Sequence, residues 1–466
     1  MSFAGTFSIK SFKQLAFPAG PILALAAAYL MSAGGFSADA SITLGVTVIC
    51  IVWWVFEPIP IPATSFIPLG LLPLLGVLQP VEVAEAYGSP LILLLLGGFI
   101  LATALEKNHA HRRIALTMVR AFGGTSSRRL VFGFMAAAAL MSMWISNTAT
   151  TLMLLPVALA TLEKSDDPQL ATPLLLGIAY AASIGGVGTP IGTPPNVVFM
   201  GVYENTVGEQ IGFLTWMSWA LPVVFVFLPL MALWLTRNLR HEGAVSLPEV
   251  GRWQAAEVRV LMVFALTAFF WVTRKQPFGG WSELFSLGQT NDAMVALLAV
   301  VVMFIVPNGK GEKLLDWETA TRIPWGMLIL FGAGITIASA FTASGLSQTI
   351  GDGLSGIAEL PIILIMLTIC LVVTFLTETT SNTATTTLLM PILAAGALGA
   401  GIDPKLIMIP AAMSASCAFM LPVATAPNII MFSTGHFSIK TMAREGFALN
   451  IIGAFVITGV LYLLLT

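Results

Sequence analysis

The sequence predicts an all-α polytopic membrane protein with about 11 transmembrane helices and two re-entrant hairpins in an inverted-topology repeat. Hydrophobic residues make up 57% and charged residues 9% of the 466 positions, whereas about a quarter of the residues in a soluble domain are charged. Long apolar stretches recur along the chain, and one polar string occurs once in each half. These observations favour a membrane-embedded repeat protein over a soluble one.

Eleven apolar stretches are long enough to cross about 30 Å of hydrocarbon as helices. They lie at 15–34, 41–57, 63–79, 90–106, 172–200, 212–236, 258–273, 291–306, 324–343, 405–434 and 446–465. The first could instead belong to a signal peptide, because Lys10 and Lys13 precede it and Ala38-Asp39-Ala40 resembles a cleavage site. We favour a retained span because the topology requires it.

Two further pairs of apolar segments lie at 130–145 with 151–162 and at 361–377 with 384–400. The limbs of the first pair are too short for comfortable independent spans. Basic residues flank the first pair on both sides, with Arg128 and Arg129 before it and Lys164 after it. We therefore predict that each pair enters and leaves the membrane on one side. Such a re-entrant hairpin must be buried in protein or face water.

The distribution of Lys and Arg among the loops predicts the orientation of the chain in the membrane. With the amino terminus in the cytoplasm and the carboxy terminus outside, only Arg274, Lys275 and Lys405 of the 21 Lys and Arg residues lie outside. Cytoplasmic loops of membrane proteins carry an excess of Lys and Arg, so this bias supports the topology. The first hairpin then opens from the cytoplasm and the second from the outside, as an inverted repeat requires.

The polar string marks the repeat. It reads Ser146-Asn-Thr-Ala-Thr-Thr-Leu-Met-Leu-Leu-Pro-Val157 and returns 235 residues later as Ser381-Asn-Thr-Ala-Thr-Thr-Thr-Leu-Leu-Met-Pro-Ile392, with eight of twelve positions identical. Polar groups at membrane depth are costly unless they are satisfied or line a cavity. Downstream, 189–196 aligns with 421–428, and Pro in both segments, with Gly192 in the first, breaks the apolar spans there. A tip and a broken helix in each half predict a transporter with a solute site near the bilayer midplane.

These motifs resemble those of the divalent anion/sodium symporter family, the INDY-type dicarboxylate transporters. The resemblance rests on the paired Ser-Asn-Thr motifs, on 416–430 at the carboxy-terminal signature and on 106–115 after the fourth span. It extends from about residue 45 to the end of the chain. It implies sodium-coupled symport of a C4 dicarboxylate by a homodimer, in which a transport domain moves against a scaffold domain in an elevator-like cycle.

The resemblance also implies domains and site residues. Scaffold helices would occupy 1–127 and 258–358, the transport domain 128–240 and 359–466, and a solvated cytoplasmic linker 241–257. The implied sodium ligands are Ser142, Ser146, Asn147 and the backbone at Gly192 in the first half, and Thr377, Ser381, Asn382 and the backbone at Ala424 in the second. The implied substrate contacts are Asn147, Thr148, Thr193, Asn382, Thr383 and Thr425.

The residues themselves favour coupling to a cation. Every implied ligand offers a hydroxyl, amide or carbonyl oxygen, which suits a hard cation such as sodium. Neither motif and neither helix break contains Lys or Arg, and helix amino termini supply only about half a charge each. Co-transported sodium ions would most simply provide the positive charge that a dianion needs, and no organic cofactor is expected.

Other functions fit the residues less well. An enzyme would need a nucleophile–base or metal constellation, and His109, His111, His241 and His436 show no metal-ligand spacing. A passive anion channel would more naturally carry rings of Lys or Arg. Nothing suggests nucleic-acid binding. We therefore expect a transporter in a cell membrane, and the short loops favour a bacterial inner membrane.

Several alternatives stay open within the class of transporters. Sulfate or citrate could replace the C4 dicarboxylate as the substrate, although two facing Asn-Thr tips suit an anionic group at each end. A proton-coupled anion transporter or antiporter of related fold is a closer rival. Glu378 is the one carboxylate beside a motif and could couple protons, although we expect it to face away from the ion site, toward the outer side of the hairpin or a polar partner.

Overall fold

Helices account for nearly all the regular structure in the computed structural model, which describes residues 9–122, 126–239, 251–275, 279–354 and 360–466. The first half of the described chain contains α1 (Ile9–Ala33), α2 (Ala38–Phe56), α3 (Ile61–Thr64), α4 (Phe66–Leu74), α5 (Pro80–Tyr87), α6 (Pro90–Lys107), α7 (Ala110–Phe122), α8 (Ser127–Ser142), α9 (Asn147–Leu162), α10 (Ala171–Val187), α11 (Pro194–Val207) and α12 (Phe213–Thr236). The second half contains α13 (Ala255–Val272), α14 (Gly280–Leu284), α15 (Asp292–Ile305), α16 (Trp317–Ala320), α17 (Trp325–Ala343), α18 (Leu346–Leu354), α19 (Ile362–Thr377), α20 (Asn382–Gly399), α21 (Lys405–Ser414), α22 (Ala426–Phe432) and α23 (Ile439–Leu465).

Seven helical stretches of the described chain are long and apolar enough to cross a membrane. The predicted span at 63–79 is not one of these long helices, because this part of the chain divides into the short helices α3 and α4. Ser65 separates them, and its hydroxyl donates to the carbonyl oxygen of Ile61 at 2.8 Å. The all-helical polytopic class is confirmed, and several of the predicted spans contain short or interrupted helices.

Two predicted spans are interrupted near prolines, with glycines also present at the first interruption. The first ends as α10 at Val187 and resumes as α11 at Pro194. The second ends as α21 at Ser414, passes through the short 3-10 turn Pro422–Ala424 and resumes as α22. A proline lacks the N–H that a helix interior needs, so these sequences favour termination and a new start. The predicted helix breaks are therefore present in both halves.

The two hairpins keep the register of the sequence repeat. Helices α8 and α9 form the first hairpin, and α19 and α20 form the second. The starts of α8 and α19 are 235 residues apart, as are the starts of α9 and α20. Ser146 caps α9 by accepting the N–H of Ala149 at 3.2 Å. The duplicated string thus marks the start of the second limb in each hairpin.

Helix α7 connects α6 to the first hairpin and packs on α8. Its buried Arg113 binds Glu257 in the first turn of α13 at 2.7 Å and the carbonyl oxygen of Gly251 at 2.7 Å. The predicted cytoplasmic linker therefore ends in an anchored segment rather than a fully solvated one. Residues 240–250, which include His241, lie outside the described residues.

Ion pairs join segments that the predicted topology places on the same side of the membrane. Lys13–Glu57, Lys107–Asp316, Arg113–Glu257 and Arg237–Glu445 lie on the predicted cytoplasmic side, and Arg274–Asp292 and Lys405–Glu209 lie on the predicted external side. A topology with one crossing misassigned would have paired loops across the bilayer. The ion pairs therefore agree with the predicted assignment of loops to the same side of the membrane.

Candidate binding site between the two hairpins

The two hairpin tips and the two helix breaks surround one cavity of about 680 Å³. Its lining includes the Ser-Asn-Thr residues of both tips. Glu57, Glu106 and Arg322 are exposed and also line it, and the predicted topology places all three at the cytoplasmic side. Of the described residues that line the cavity, Arg322 is the single Lys or Arg, and it pairs with Glu318 at 2.7 Å. The inner part of the cavity therefore presents neutral polar groups.

A cluster of oxygens lies beside the first tip. The hydroxyl of Ser142, at the end of α8, donates to Oδ1 of Asn147 at 2.5 Å. Asn147 Oδ1 and the carbonyl oxygen of Gly192 both lie close to Gly186. They are 2.7 and 3.0 Å from the position that a Cβ atom would occupy on this glycine. The structure thus brings together three of the four residues predicted for the first sodium site. The fourth, Ser146, lies next to Asn147 and lines the cavity.

The second tip repeats this arrangement. Thr377 ends α19, and its Oγ1 lies 2.7 Å from Asn382 Oδ1 and 3.0 Å from the carbonyl oxygen of Ala415. Ser381 and Asn382 line the cavity together with Ala424. The contact between Thr377 and Asn382 matches that between the corresponding pair in the first half. Two related oxygen-rich clusters therefore lie at the two hairpin tips.

Each helix break is held together by an asparagine one turn after it. Asn196 Nδ2 donates to the carbonyl oxygen of Thr189 at 2.7 Å, and Asn428 Nδ2 donates to that of Leu421 at 3.0 Å. Both asparagines are fully buried. A helix break leaves carbonyl groups without helical partners, and a buried carbonyl must find a donor. The Pro-Asn pairs are visible in the sequence, but this role was not predicted for them.

Glu378 binds the second break. Its carboxylate accepts the backbone N–H groups of Phe419 and Met420 at 2.7 and 2.9 Å and that of Leu421 at 3.1 Å. The side-chain amide of Asn450 donates to it at 2.7 Å. The carboxylate therefore has a full set of donors and is directed toward the backbone of the break. Sequence reasoning predicted a polar partner but did not identify the unwound segment.

The residues predicted to contact substrate all line the cavity. Thr148 and Thr383 stand in the first turns of α9 and α20, and Thr193 and Thr425 are the residues immediately before α11 and α22. Four helices therefore begin at the cavity wall. Helix amino termini carry partial positive charge and free N–H groups, which favour an anion.

Other lining residues were not predicted. Trp144 and Ile145 precede the first Ser-Asn-Thr motif, and Thr379 and Thr380 precede the second. All four line the cavity. Their position directly before a repeated motif is the signal that could have identified them.

Two hairpin tips and two broken helices around one cavity define a secondary transporter built from inverted repeats. Residues 19–464 match the family model described as the sodium:sulfate symporter transmembrane region. The chain is 39% identical over 470 residues to the sodium-dependent dicarboxylate transporter SdcS of Staphylococcus saprophyticus, covering 96% of this chain and 90% of that protein. Against SdcS of Staphylococcus aureus strain NCTC 8325 it is 39% identical over 490 residues, covering 98% and 94%. The chain belongs to the divalent anion/sodium symporter family.

Solved structures of more distant transporters share the fold. The Alcanivorax borkumensis YdaH transporter superposes with a TM-score of 0.59 at 15% identity, covering 82% of this chain and 86% of that one. Neisseria gonorrhoeae MtrF gives a TM-score of 0.58 at 14% identity, covering 84% of each chain. At such low identity the likeness concerns the fold alone.

Proposed function

We propose that this protein is a secondary active transporter that carries a C4 dicarboxylate, of the succinate, malate or fumarate type, together with sodium ions. The observation that carries the proposal is the cavity between the two Ser-Asn-Thr tips, which has four helix amino termini and an oxygen cluster beside each tip. The SdcS relatives are named sodium-dependent dicarboxylate transporters. Membership of this family and the described site favour transport over enzymatic chemistry.

Charge balance explains why sodium is needed. A dicarboxylate brings two negative charges, and the inner cavity offers no basic side chain among its described lining residues. Four helix termini contribute only about half a charge each, and water and counter-ions screen part of it. Sodium at the two oxygen clusters would neutralise the remainder. Substrate binding then depends on the cation, which is the thermodynamic requirement for symport.

The same side chains would serve both ligands. In each cluster the asparagine Oδ1 and a hydroxyl oxygen would coordinate sodium, together with the backbone at Gly192 or Ala424. The amide N–H groups of Asn147 and Asn382 would donate to the substrate carboxylates, with hydroxyls from the threonines of the tips and breaks. A C4 dicarboxylate can reach both tips with one carboxylate each. Sulfate would engage one tip at a time, and citrate would add a third charge.

Transport requires the cavity to open alternately to the two sides. The lining residues Glu57, Glu106 and Arg322 are exposed and lie on the predicted cytoplasmic side, which supports an opening toward the cytoplasm. The two hairpins and the broken helices would move as one transport domain against the scaffold helices in an elevator-like cycle. We further propose a homodimer in a bacterial inner membrane, with the amino terminus in the cytoplasm and the carboxy terminus outside.

Uptake into proteoliposomes tests the proposal. Labelled succinate should accumulate under an inward sodium gradient and should fail to do so when potassium replaces sodium. A pH gradient without sodium should give no uptake, and excess sulfate or citrate should compete weakly. In detergent, succinate should raise the thermal unfolding temperature only when sodium is present. Equal stabilisation by succinate in sodium-free buffer would contradict the charge-balance argument.

A further inference from the structure

The two hairpin tips differ at the two positions before their Ser-Asn-Thr motifs. Trp144 and Ile145 stand in the first tip, where Thr379 and Thr380 stand in the second, at the 235-residue offset of the repeat. All four residues line the cavity. At these two positions the cavity lining is therefore apolar in the first tip and carries hydroxyl groups in the second.

The apolar side is held in place by aromatic packing. The Trp144 ring stacks on Phe213 at a centroid distance of 6.1 Å and meets Phe264 edge-on at 5.2 Å. Ile145 is buried, with 5% of its surface exposed. An indole and an alkyl side chain offer no oxygen to a hydroxyl group of a ligand. These two side chains can pack against the carbon chain of a substrate but cannot accept a hydrogen bond from it.

In the second tip, the two threonine hydroxyls differ in how many polar contacts they already make. Thr380 Oγ1 lies 2.9 Å from the carbonyl oxygen of Leu376 and 2.6 Å from Thr385 Oγ1. Thr379 is exposed, and its hydroxyl donates to the same carbonyl at 3.2 Å. Because the proton of Thr379 points to the backbone, its oxygen keeps free lone pairs for an incoming O–H donor.

We propose that Thr379 accepts a hydrogen bond from the hydroxyl group of a 2-hydroxy dicarboxylate such as malate and so sets the specificity and orientation of that substrate. The inference rests on the proposed function and refines its substrate class. Succinate has no hydroxyl and binds in either orientation. The malate hydroxyl faces Thr379, because the corresponding residue of the first tip, Trp144, offers it no acceptor.

The test compares competition by two ligands in variants of one cavity. Uptake of labelled succinate is measured with increasing unlabelled L-malate or unlabelled succinate. The readout is the half-inhibitory concentration of L-malate divided by that of succinate. Thr379→Val keeps the shape and removes the acceptor, so this ratio should rise by about twofold to tenfold, the range expected for one hydrogen bond. The competition by unlabelled succinate in the same variant corrects this ratio for any change in succinate binding itself.

Two further variants serve as controls. Thr103 also lines the cavity and bonds a backbone carbonyl, that of Ile100, at 2.8 Å, but it lies on α6. Thr103→Val should leave the ratio unchanged, and Thr379→Ser, which keeps an oxygen, should do the same. An unchanged ratio in Thr379→Val, or an equal rise in Thr103→Val, overturns the inference. Absence of sodium-driven succinate uptake in the wild type would instead overturn the proposed function.

Discussion

At the scale of single residues, each tip asparagine can bind two different ligands through one side chain. Oδ1 of Asn147 accepts from Ser142, and Oδ1 of Asn382 accepts from Thr377. Neither Nδ2 group is hydrogen-bonded to another described residue, and both asparagines line the cavity. An amide is suited to this position because it offers an oxygen to a cation and N–H donors to a carboxylate.

Replacing either asparagine by aspartate should separate the binding of those two ligands. Asn147→Asp and Asn382→Asp keep an oxygen for sodium but place a negative charge against the substrate. At about 4 Å and an effective dielectric constant of about 20, the repulsion is about 4 kcal/mol per charge pair. Succinate uptake should therefore fall below detection in both variants, while sodium still raises the thermal unfolding temperature. Normal succinate uptake by Asn382→Asp would show that the second tip is not at the substrate.

Thr150 provides the matched control for that experiment. It lies one turn after Asn147 in α9 and is fully buried, and its hydroxyl has no partner among the described residues. Removing an unsatisfied buried hydroxyl without changing shape is neutral or stabilising. Thr150→Val should therefore transport like wild type and unfold at the same or a higher temperature. A loss of transport in this variant would mean that the first hairpin does not tolerate isosteric changes.

At the scale of elements, the two helix breaks are closed by different means. Glu378 binds three backbone N–H groups of the second break, whereas the corresponding position in the first half is Met143. There the hydroxyl of Thr189 donates to the backbone carbonyl of Met143. The carboxylate thus ties the second hairpin to the unwound segment that leads to Ala424. We interpret Glu378 as a positioning residue for that segment rather than a proton carrier.

Truncating Glu378 should loosen the second break. Glu378→Ala leaves several buried donors without an acceptor, and each unsatisfied donor costs about 1–3 kcal/mol. The thermal unfolding temperature in detergent should fall, and the added stabilisation by sodium should shrink because the backbone at Ala424 is no longer held. Glu163→Ala, which removes an exposed carboxylate at the end of α9, should leave both quantities unchanged. An unaltered sodium response in Glu378→Ala would contradict the positioning role.

The elements also show what the sequence could predict. Hairpins and breaks were predictable because each is encoded locally by a polar string or by Pro and Gly within an apolar run. Helix α7 was missed because its amphipathic sequence, with Arg112, Arg113 and Arg120, contains no long apolar stretch. The partners of Glu378 depend on the path of the unwound backbone 415–421, which no local pattern specifies. The same holds for the choice of Thr379 over Thr380 as the available hydroxyl.

At the scale of the whole molecule, an inverted repeat places related parts on opposite sides of one cavity. The repeat accounts for the two oxygen clusters and the two proposed anion-binding tips. The differences between the two halves would determine which substrate is preferred. The first tip differs from the second in its apolar residues, and the breaks differ in how they are closed. Both differences lie within the proposed transport domain, so they would travel with the substrate during an elevator-like movement.

The sidedness of the repeat can be tested by labelling introduced cysteines with a membrane-impermeant maleimide. The three native cysteines are fully buried, so background labelling should be low. A cysteine at exposed Asn205, in the last turn of α11, should react from outside, because the predicted topology places that end of the helix on the external side. A cysteine at Ser165, between α9 and α10, should react only after the cytoplasmic side is opened, since the first hairpin returns to its own side. Reaction of the Ser165 position from outside in intact cells would mean that 130–162 crosses the membrane once, and the inverted repeat would then be misassigned.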